Sequence, residues 1–381
     1  MKVLKKKLII HNGNISIGGQ EKMLIEFLNI LDPTKYEVLL LIEENKGKNN
    51  DYIDEIPKWI NYKFLTSEKL MEDINTLKNK KNIFAKLYYS ILLKKKKNVA
   101  IKEFEKNLNF GDIIIDYDMG LLRNLHKLSL KNKPLIGWSH AGEGTLPKNK
   151  QKRKNIEKYN YIMTINDVMK KGYEKNLKDP KILKINNFMN FDKILEKSNE
   201  KVEEYGEYII SVGSLTENKN HILLIETFGE LKKEKNIKEK LIIIGDGKEK
   251  EKLKERIDEL NLNEDILLLG QKQNPYKYMK NSKLYVSVSK NEGLPLTSIE
   301  AMILQKMIIA VENNGTRELL DKNSIYGKLI KNNKGELKEK LYYYLINNQE
   351  RKKYEIKGFE RAKNYDKNIV KIEIERFIDK L

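Results

Sequence analysis

Several features that define common protein classes are missing from this sequence. It contains no cysteine, which excludes disulfide bonds, a thiol nucleophile and a cysteine-ligated metal, and which is compatible with a reducing compartment. It has no apolar run of about 18 residues, so no segment is expected to span a bilayer. The first residues, M-K-V-L-K-K-K-L-I-I-H-N-G, hold too short an apolar run for a signal peptide and predict a first strand instead. We therefore expect a cytoplasmic protein whose contact with a membrane is peripheral.

What the sequence does contain is a large excess of positive charge. The formal net charge is +19, of which residues 1–200 carry +14 and residues 201–381 carry +5. Its basic clusters are Lys5 to Lys7, Lys94 to Lys97 and Lys148 to Lys154. Such clusters either are solvated helix faces or attract polyanions, which include anionic membranes and nucleic acids.

The composition of these clusters favours a membrane over nucleic acid. They lack the interleaved aromatic residues and the reading motifs of nucleic-acid binders. The segment L-Y-Y-S-I-L-L directly before Lys94 instead supplies an apolar and aromatic flank. We therefore predict that the basic N-terminal domain contacts an anionic membrane surface, and we predict no nucleic-acid partner.

Short apolar runs rich in β-formers alternate with longer helical patterns, which is typical of βαβ units and parallel sheets. The chain has 381 residues, 40% of them hydrophobic, and this suits two domains of roughly 180 residues. We predict an α/β protein with domains over 1–192 and 193–363, a linker after Phe191, and a closing helix over 364–381 that packs back on the first domain. The predicted strands are Leu8 to His11, Tyr36 to Ile42, Asp112 to Asp116, Pro134 to Trp138, Tyr161 to Ile165, Tyr208 to Val212, Leu241 to Ile244, Ile266 to Leu269, Leu284 to Val288, Met307 to Val311 and Gly327 to Ile330.

Glycine-rich turns follow some of these strands, and parallel sheets bind ligands at the carboxyl ends of their strands. The turn with Gly18 and Gly19 either holds a phosphate on its backbone amides or is only a tight turn. In V-G-S-L-T-E-N-K-N, Lys219 lies at the start of a helix, where its ammonium and the helix dipole would favour an anion. The turn with Gly245 and Gly247 encloses a carboxylate and fits packing or a nucleoside better than a phosphate.

The stretch S-V-S-K-N-E-G-L-P-L-T-S-I-E-A-M over residues 287–302 contains two glutamates that flank a proline. We predict a strand, a loop with Glu292, and a helix capped by Thr297 or Ser298 with Glu300 in its first turn. Both carboxylates would then face a crevice and accept hydrogen bonds from the vicinal hydroxyls of a sugar or a ribose. The alternative is that Glu300 complements the helix dipole and Glu292 is solvated. Together with a phosphate site, the first interpretation suggests a sugar nucleotide.

In their order and spacing, these motifs resemble the retaining GT-B glycosyltransferases of family 4. The resemblance covers about residues 8–320, and its specific part is the glutamate pair followed by Ala-Met and preceded by the Gly-to-Lys loop. It implies the GT-B fold, in which two Rossmann-like α/β domains face a central cleft. The motifs that carry it are I-G-G-Q-E-K, W-S-H-A-G, I-N-N-F-M-N-F-D, V-G-S-L-T-E-N-K-N, G-Q-K-Q-N-P-Y-K-Y-M-K-N-S and S-K-N-E-G-L-P-L-T-S-I-E-A-M.

The resemblance assigns donor-binding roles to individual positions. It implies that Glu300 binds the ribose hydroxyls, that Glu292 meets hydroxyls of the transferred sugar and that Lys219 binds phosphate. Ser214 stands where many members have an arginine, so one cation on the pyrophosphate is missing. The other implied donor contacts are the backbone of Gly293, Leu294 and Leu296 at the pyrophosphate, Gly18 and Gly19 from the opposite domain, and Gln271 and Tyr276 in the region that meets the base.

The resemblance also implies how catalysis works. A lone histidine at a strand end is more often structural, but His140 matches a position near the reacting sugar and the acceptor, without being the general base. Retention in this family is usually explained by same-face attack, with the leaving diphosphate taking the proton of the acceptor. Catalysis would then be mostly positioning, with Glu292 and His140 at the reacting sugar, and stabilisation of the leaving group by Lys219, the glycine amides and helix N-termini. Asp116-Tyr117-Asp118 spells D-x-D, which we interpret as loop chemistry, and we expect no metal and no cofactor besides the nucleotide sugar.

We therefore expect a glycosyltransferase at the inner face of the membrane. It would move a hexose or N-acetylhexosamine from a nucleotide diphosphate sugar, with UDP the expected nucleotide, to a glycan or lipid-linked acceptor in surface polysaccharide synthesis. Two alternatives stay open: a nucleotide-sugar epimerase of the same fold, and a basic nucleic-acid-binding protein.

Overall fold

The computed structural model describes residues 4–130, 132–140 and 144–381. These residues confirm the predicted α/β class, because parallel strands alternate with helices along the chain. The chain divides into two units: residues up to Asn186 together with Val370–Leu381 form the first, and Asn187–Ile369 form the second. The divisions therefore fall at 186/187 and 369/370, whereas the sequence pattern placed them at 192/193 and 363/364.

The first unit contains a sheet of seven parallel strands. The strand order is β3-β2-β1-β4-β5-β6-β7, with β1 (Lys6–Asn12), β2 (Tyr36–Ile42), β3 (Asn61–Phe64), β4 (Ile113–Asp116), β5 (Leu135–Ser139), β6 (Tyr161–Thr164) and β7 (Lys181–Lys184). The helices between them are α1 (Gly19–Ile30), α2 (Glu68–Lys78), α3 (Ile83–Asn107), α4 (Lys150–Ile156) and α5 (Asp167–Asn176). In the central strand, Leu8, Ile9 and Ile10 are all fully buried, as expected for a sheet with both faces covered.

The second unit contains a sheet of six parallel strands. Its order is β10-β9-β8-β11-β12-β13, with β8 (Tyr208–Val212), β9 (Lys240–Ile244), β10 (Ile266–Leu268), β11 (Tyr285–Ser287), β12 (Ile308–Val311) and β13 (Lys328–Ile330). Its helices are α6 (Phe191–Ser198), α7 (His221–Lys235), α8 (Lys250–Glu259), α9 (Tyr276–Asn281), α10 (Leu296–Ile303), α11 (Asn314–Leu320), α12 (Lys334–Ile346) and α13 (Asn348–Ala362). This strand order matches that of dinucleotide-binding sheets, in which the winding direction reverses between the two central strands.

The last helix, α14 (Lys367–Asp379), packs against the first sheet from residue 370 onward. Its buried residues Val370, Ile374 and Ile378 are four residues apart and form one stripe. The ammonium of Lys6 donates to the carbonyl oxygens of Ile378 at 2.9 Å and Asp379 at 2.8 Å. These bonds satisfy carbonyl groups at the end of the helix that have no partner within it.

The sequence pattern missed two strands and misread one helix. The strands β3 and β7 lie at the two edges of the first sheet, and their residues are exposed or half-buried. Edge strands of this kind lack the apolar run by which the central strands are recognised. The charged segment after Phe191, predicted as a linker, begins with helix α6, whose buried residues include Phe191 and Ile194.

Candidate functional site

The candidate site in the second unit lies where the winding of its sheet reverses. The strands β8 and β11 are neighbours, and the chain leaves them toward helices on opposite faces of the sheet. In sheets of this kind the two departing loops leave a crevice outside the carboxyl ends of the strands. Here the loops are residues 213–220 after β8 and residues 288–295 after β11. Most of the donor-binding residues predicted in this half of the chain lie on or beside these loops.

Asn218 joins the two loops, and the sequence analysis did not single it out. Its side-chain amide donates to the carbonyl oxygen of Asn291 at 2.9 Å, and its side-chain oxygen accepts from the Asn291 amide at 3.2 Å. The Lys290 amide also donates to the carbonyl oxygen of Asn218, at 2.8 Å. Because an asparagine side chain carries both a donor and an acceptor, it can bind a backbone segment in this two-point way. The only sequence signal was its place within N-K-N beside Lys219.

A second link between the loops is the ion pair of Lys219 and Glu292. Nζ of Lys219 lies 2.5 Å from Oε1 of Glu292, and the two side chains are 23% and 15% exposed. A Cβ atom added at Gly213 would lie 3.6 Å from Cδ and Cε of Lys219, so the aliphatic part of the lysine lies across this glycine. The loops therefore bring a cation and a carboxylate together within reach of solvent.

Helix α10 begins earlier than the sequence predicted. Its N-cap is Pro295, and no side chain caps it. The prediction that Thr297 or Ser298 caps this helix is therefore wrong. The hydroxyl of Tyr285 donates to Oγ1 of Thr297 at 2.7 Å, which ties the first turn of the helix to β11. Since the helix starts at Leu296, Glu300 is its fifth residue and not part of the first turn. The alternative in which Glu300 complements the helix dipole is weakened accordingly.

Glu300 is almost fully buried, with 2% of the residue exposed. Its Oε1 accepts a hydrogen bond from the hydroxyl of the buried Tyr276 at 3.1 Å. Burying a carboxylate is costly unless hydrogen bonds compensate, and Tyr276 contributes one. The structure therefore brings together two of the predicted donor-binding residues, one from α10 and one from α9.

The remaining predicted residues of this unit differ in exposure. The backbone from Gly293 to Leu296 runs between the two glutamates and into the N-terminus of α10, with Leu294 buried. Gln271 and Ser214 are exposed. Gln271 follows β10, and Ser214 directly follows Gly213 in the loop after β8.

Gly245 and Gly247 serve packing, which is one of the two roles the sequence left open. Their φ angles are 154° and 156°. A Cβ atom would lie 1.9 Å from the Gly213 carbonyl oxygen at the first position, and 2.4 Å from that of Leu215 at the second. The Leu215 amide also donates to the carbonyl oxygen of Asp246 at 2.8 Å. The turn after β9 therefore supports the loop that carries Lys219.

In the first unit, Gly18 and Gly19 stand at the start of α1. Gly18 is the N-cap, with an extended backbone and no side-chain cap, and Gly19 is the first helical residue. A Cβ atom at Gly18 would lie 2.2 Å from a carboxylate oxygen of Glu21. The glycine thus makes room for the Glu21 carboxylate at a helix N-terminus, where backbone amides can meet an anion.

His140 directly follows β5 and packs against two aromatic rings that also contact each other. Its ring centroid lies 4.5 Å from that of Tyr117 and 5.6 Å from that of Trp138. Both ring nitrogens are buried, and neither has a hydrogen-bond partner among the described residues. Burial lowers the pKa of His140 to about 3, so the ring is neutral at pH 7 and can both donate and accept a hydrogen bond. The rest of its motif, residues 141 and 142, lies outside the described residues.

The D-x-D motif lies at the end of β4, where its two carboxylates surround His11. Nδ1 of His11 lies 2.9 Å from Oδ1 of Asp116 and 3.7 Å from Oδ1 of Asp118. Burial alone would lower the pKa of His11, but Asp116, Asp118 and Glu43 outweigh it and raise this pKa to about 9. A protonated imidazole is therefore the cation between these carboxylates at neutral pH.

The same three side chains could in principle hold a metal ion, since their ligand atoms lie within 4.8 Å of one another. Their oxygens, however, already accept hydrogen bonds. Asp116 accepts from the Leu121 amide and the Tyr159 hydroxyl, and Asp118 accepts from the amides of Gly13 and Gly120. The donor set thus fits a hydrogen-bonded imidazolium better than a metal.

Part of this chain is similar to known glycosyltransferases. Residues 191–361 match the family model "Glycosyl transferases group 1", a segment that covers a little under half of the chain and contains Lys219, Glu292 and Glu300. An uncharacterized glycosyltransferase of Methanocaldococcus jannaschii is 41% identical over 142 residues, which are 35% of each chain. The N-acetylgalactosamine-N,N'-diacetylbacillosaminyl-diphospho-undecaprenol 4-alpha-N-acetylgalactosaminyltransferase of Campylobacter jejuni is 34% identical over 48% of this chain and 49% of its own. The chain thus spans half or less of the length of these curated relatives.

The fold of the whole chain also has known counterparts. The crystal structure of Anabaena HepE in complex with UDP and glucose superposes with a TM-score of 0.74 over 99% of this chain and 100% of that chain, at 14% sequence identity. Likeness at this identity shows the fold, and it confirms the predicted fold class of two Rossmann-like α/β units. The family match concerns residues 191–361, and the likeness to this crystal structure adds the fold of the whole chain.

Proposed function

We propose that this protein is a glycosyltransferase that takes a hexose or N-acetylhexosamine from a nucleotide diphosphate sugar, with UDP as the nucleotide. The observation that carries the proposal is the pairing of Lys219 with Glu292 beside Gly213, at the reversal of a Rossmann-like sheet. A cation for a diphosphate and a carboxylate for sugar hydroxyls are thereby adjacent. Glu300, held by Tyr276, adds a second carboxylate for the vicinal hydroxyls of the ribose. The UDP bound in the crystal structure of HepE supports this choice of nucleotide.

The charges of the site suit a diphosphate leaving group. The ammonium of Lys219 would take up negative charge as the bond from the sugar to the diphosphate breaks, and the N-terminus of α10 would add its dipole. Ser214 would contribute a hydroxyl in place of the arginine of similar enzymes, and this leaves Lys219 as the main cation at the pyrophosphate. Gln271 is proposed to meet the base.

We propose transfer with retention of configuration, by attack from the face that the diphosphate leaves. The leaving oxygen would take the proton of the acceptor hydroxyl, so no side chain would need to act as a base. His140 is proposed to orient sugar or acceptor hydroxyls, since its ring is neutral and its buried nitrogens have no partner among the described residues. Gly18 and Gly19 would supply backbone amides to the diphosphate. We propose that the reaction requires neither a metal nor a cofactor.

The acceptor is proposed to be a glycan on a lipid carrier in surface polysaccharide synthesis. The name of the C. jejuni relative describes transfer of N-acetylgalactosamine to a diphospho-undecaprenol saccharide, and the basic first half of this chain would suit the anionic surface in which such a carrier lies. None of the helices described is long and apolar enough to cross a membrane. We propose that the protein binds at the inner face of the membrane as a peripheral protein.

The proposal is tested by incubating the protein with UDP-sugars and measuring the release of UDP. Glu292→Ala and Glu300→Ala are the decisive variants, and turnover that is undiminished in both would overturn the assignment of the site. Repeating the reaction with chelator tests metal independence, since a loss of activity that magnesium or manganese restores would contradict it. Product analysis without an acceptor separates transfer from epimerisation, because an epimerase converts one UDP-sugar into another and needs no acceptor.

A further inference from the structure

Helix α3 (Ile83–Asn107) is apolar on two opposite faces over its first three turns. One face is buried: Leu92 packs in a cluster with Leu70, Met71 and Ile74 of α2, and Tyr89 lies against this cluster. Further along the helix, Ala100 and Phe104 are buried in the core of the first unit. These contacts account for the attachment of the helix to its own unit.

The second apolar face of α3 is exposed, and no contact among the described residues of the first unit accounts for it. Ile83, Phe84, Leu87, Tyr88 and Ile91 follow one another at spacings of one, three, one and three residues, which places them on one stripe of the helix. Their exposed fractions are 76%, 80%, 62%, 53% and 54%. Exposed aliphatic and aromatic side chains that are this concentrated mark an interaction surface on a soluble unit. We call these five residues the α3 stripe.

The segment of chain that carries the α3 stripe is strongly basic. No aspartate or glutamate occurs between Asp73 and Glu103, and this interval contains nine lysines. Lys96 is turned inward, where it forms ion pairs with Glu43 and Glu44. The exposed lysines are those before the helix, at 78, 80 and 81, and those on it, at 86, 94, 95 and 102.

We propose that the α3 stripe is the surface by which this protein binds an anionic lipid bilayer. The helix would lie in the plane of the interface, with the stripe among the acyl chains and the exposed lysines at the headgroups, as amphipathic helices with basic flanks do. A second copy of the chain fits this surface less well, because pairing two stripes would bring like-charged lysines together. Nucleic acid would engage the lysines but would leave the aliphatic stripe exposed. This inference rests on the proposed function, since the stripe would hold the enzyme at the surface where a lipid-linked acceptor lies. The binding of the stripe to lipid can nevertheless be measured without a sugar donor.

The test is co-sedimentation of the full chain with vesicles of phosphatidylcholine alone and of phosphatidylcholine with phosphatidylglycerol. We expect binding to the anionic vesicles that weakens as salt is raised, and little binding to phosphatidylcholine alone. The variant Phe84→Ser/Leu87→Ser/Ile91→Ser should bind roughly tenfold or more weakly, and Lys94→Glu/Lys95→Glu should lose binding to a similar extent. The matched control is Ile346→Ser/Ile356→Ser, which removes two side chains that are 60% and 66% exposed in the second unit and should bind like the wild type.

Thermal unfolding shows whether each variant is folded. The proposal is overturned if the folded stripe variant binds anionic vesicles as tightly as the wild type, if the wild type does not bind them, or if the control loses binding equally. Two further results would overturn it. In one, the wild type self-associates but does not bind vesicles, and the stripe variant no longer self-associates. In the other, the wild type binds RNA but does not bind vesicles. Vesicle binding without any turnover of UDP-sugars would contradict the proposed function and leave this surface in place.

Discussion

The ammonium of Lys219 lies 2.5 Å from a carboxylate oxygen of Glu292, although 73 positions separate the two residues in the sequence. They meet because β8 and β11 are neighbours at the reversal of the sheet and because Asn218 binds the backbone at Asn291. A bound diphosphate would accept hydrogen bonds from the Lys219 ammonium and weaken its ion pair with Glu292. The Glu292 carboxylate would then be available to sugar hydroxyls. In the proposed function, the pair would thus couple recognition of the phosphates to recognition of the sugar.

The first prediction separates these two roles. Lys219→Met should weaken the binding of UDP by about 10- to 100-fold, since it removes a charge-assisted hydrogen bond to a phosphate. Glu292→Gln should change UDP binding by less than about threefold, because UDP lacks the sugar, but it should lower the turnover of UDP-sugar sharply. Isothermal titration with UDP and a UDP-release assay measure the two effects. Equal losses of UDP affinity in both variants would contradict the division of roles.

The second prediction concerns Glu300 and uses a change in the ligand. Wild-type protein should prefer UDP to 2′-deoxy-UDP, because a carboxylate that binds both ribose hydroxyls loses one of its bonds with the deoxy ligand. Glu300→Gln should bind UDP about tenfold or more weakly and should discriminate less between the two ligands. Tyr276→Phe removes one neutral hydrogen bond to Glu300 and should cost a smaller factor, about threefold to tenfold. Undiminished discrimination in Glu300→Gln would show that the carboxylate does not meet the ribose.

The third prediction tests the link that Asn218 forms between the two loops. Asn218→Ala should lower kcat/KM for the UDP-sugar by about tenfold or more, because the loops that hold Lys219 and Glu292 lose their two-point connection. The matched control is Asn281→Ala, whose side chain donates to the backbone of its own helix, at Lys277. If both variants melt near the wild-type temperature and retain equal activity, Asn218 has no part in positioning the site.

The fourth prediction concerns pH and the buried His11. Its pKa in the folded protein is raised to about 9 from an ordinary value of 6.5, so the native state holds a proton that the unfolded chain has released in this interval. The resulting stabilisation, on the order of 3 kcal/mol, is fully present below pH 6.5 and disappears as the pH rises through 9. Unfolding by urea should therefore show that the difference in stability between wild type and His11→Gln is largest at pH 6 and shrinks toward pH 9.5. A difference that stays constant over this range would mean that His11 is not protonated in the native state.

The sequence predicted the central strands well and the edges of the first sheet poorly. The strands β2 and β8 have the predicted bounds, Tyr36–Ile42 and Tyr208–Val212, because strands covered on both faces need continuous apolar runs. The strands β3 and β7 have one neighbour each and few buried residues, so nothing in their composition distinguishes them from loops.

For the candidate site, the sequence could supply the charged residues but not their geometry. The glutamates, Lys219 and the glycines occur in recognisable motifs, whereas the pairing of Lys219 with Glu292 depends on the order of strands in the sheet. Asn218 was missed because asparagine is common in this chain and its role is a contact with distant backbone. The cap of α10 was misassigned because Thr297 is the partner of Tyr285, and no local pattern shows this.

The central claim, that the second unit binds a nucleotide sugar through Lys219, is tested most directly by a thermal-shift screen with UDP, GDP and UDP-sugars. At a concentration 100 times the dissociation constant, a ligand that binds only the native state stabilises it by about 2.7 kcal/mol. We predict that UDP and at least one UDP-sugar raise the Tm of the wild type, and that the same concentrations leave the Tm of Lys219→Met nearly unchanged. The absence of a shift with every nucleotide, or an equal shift in both proteins, would contradict the account.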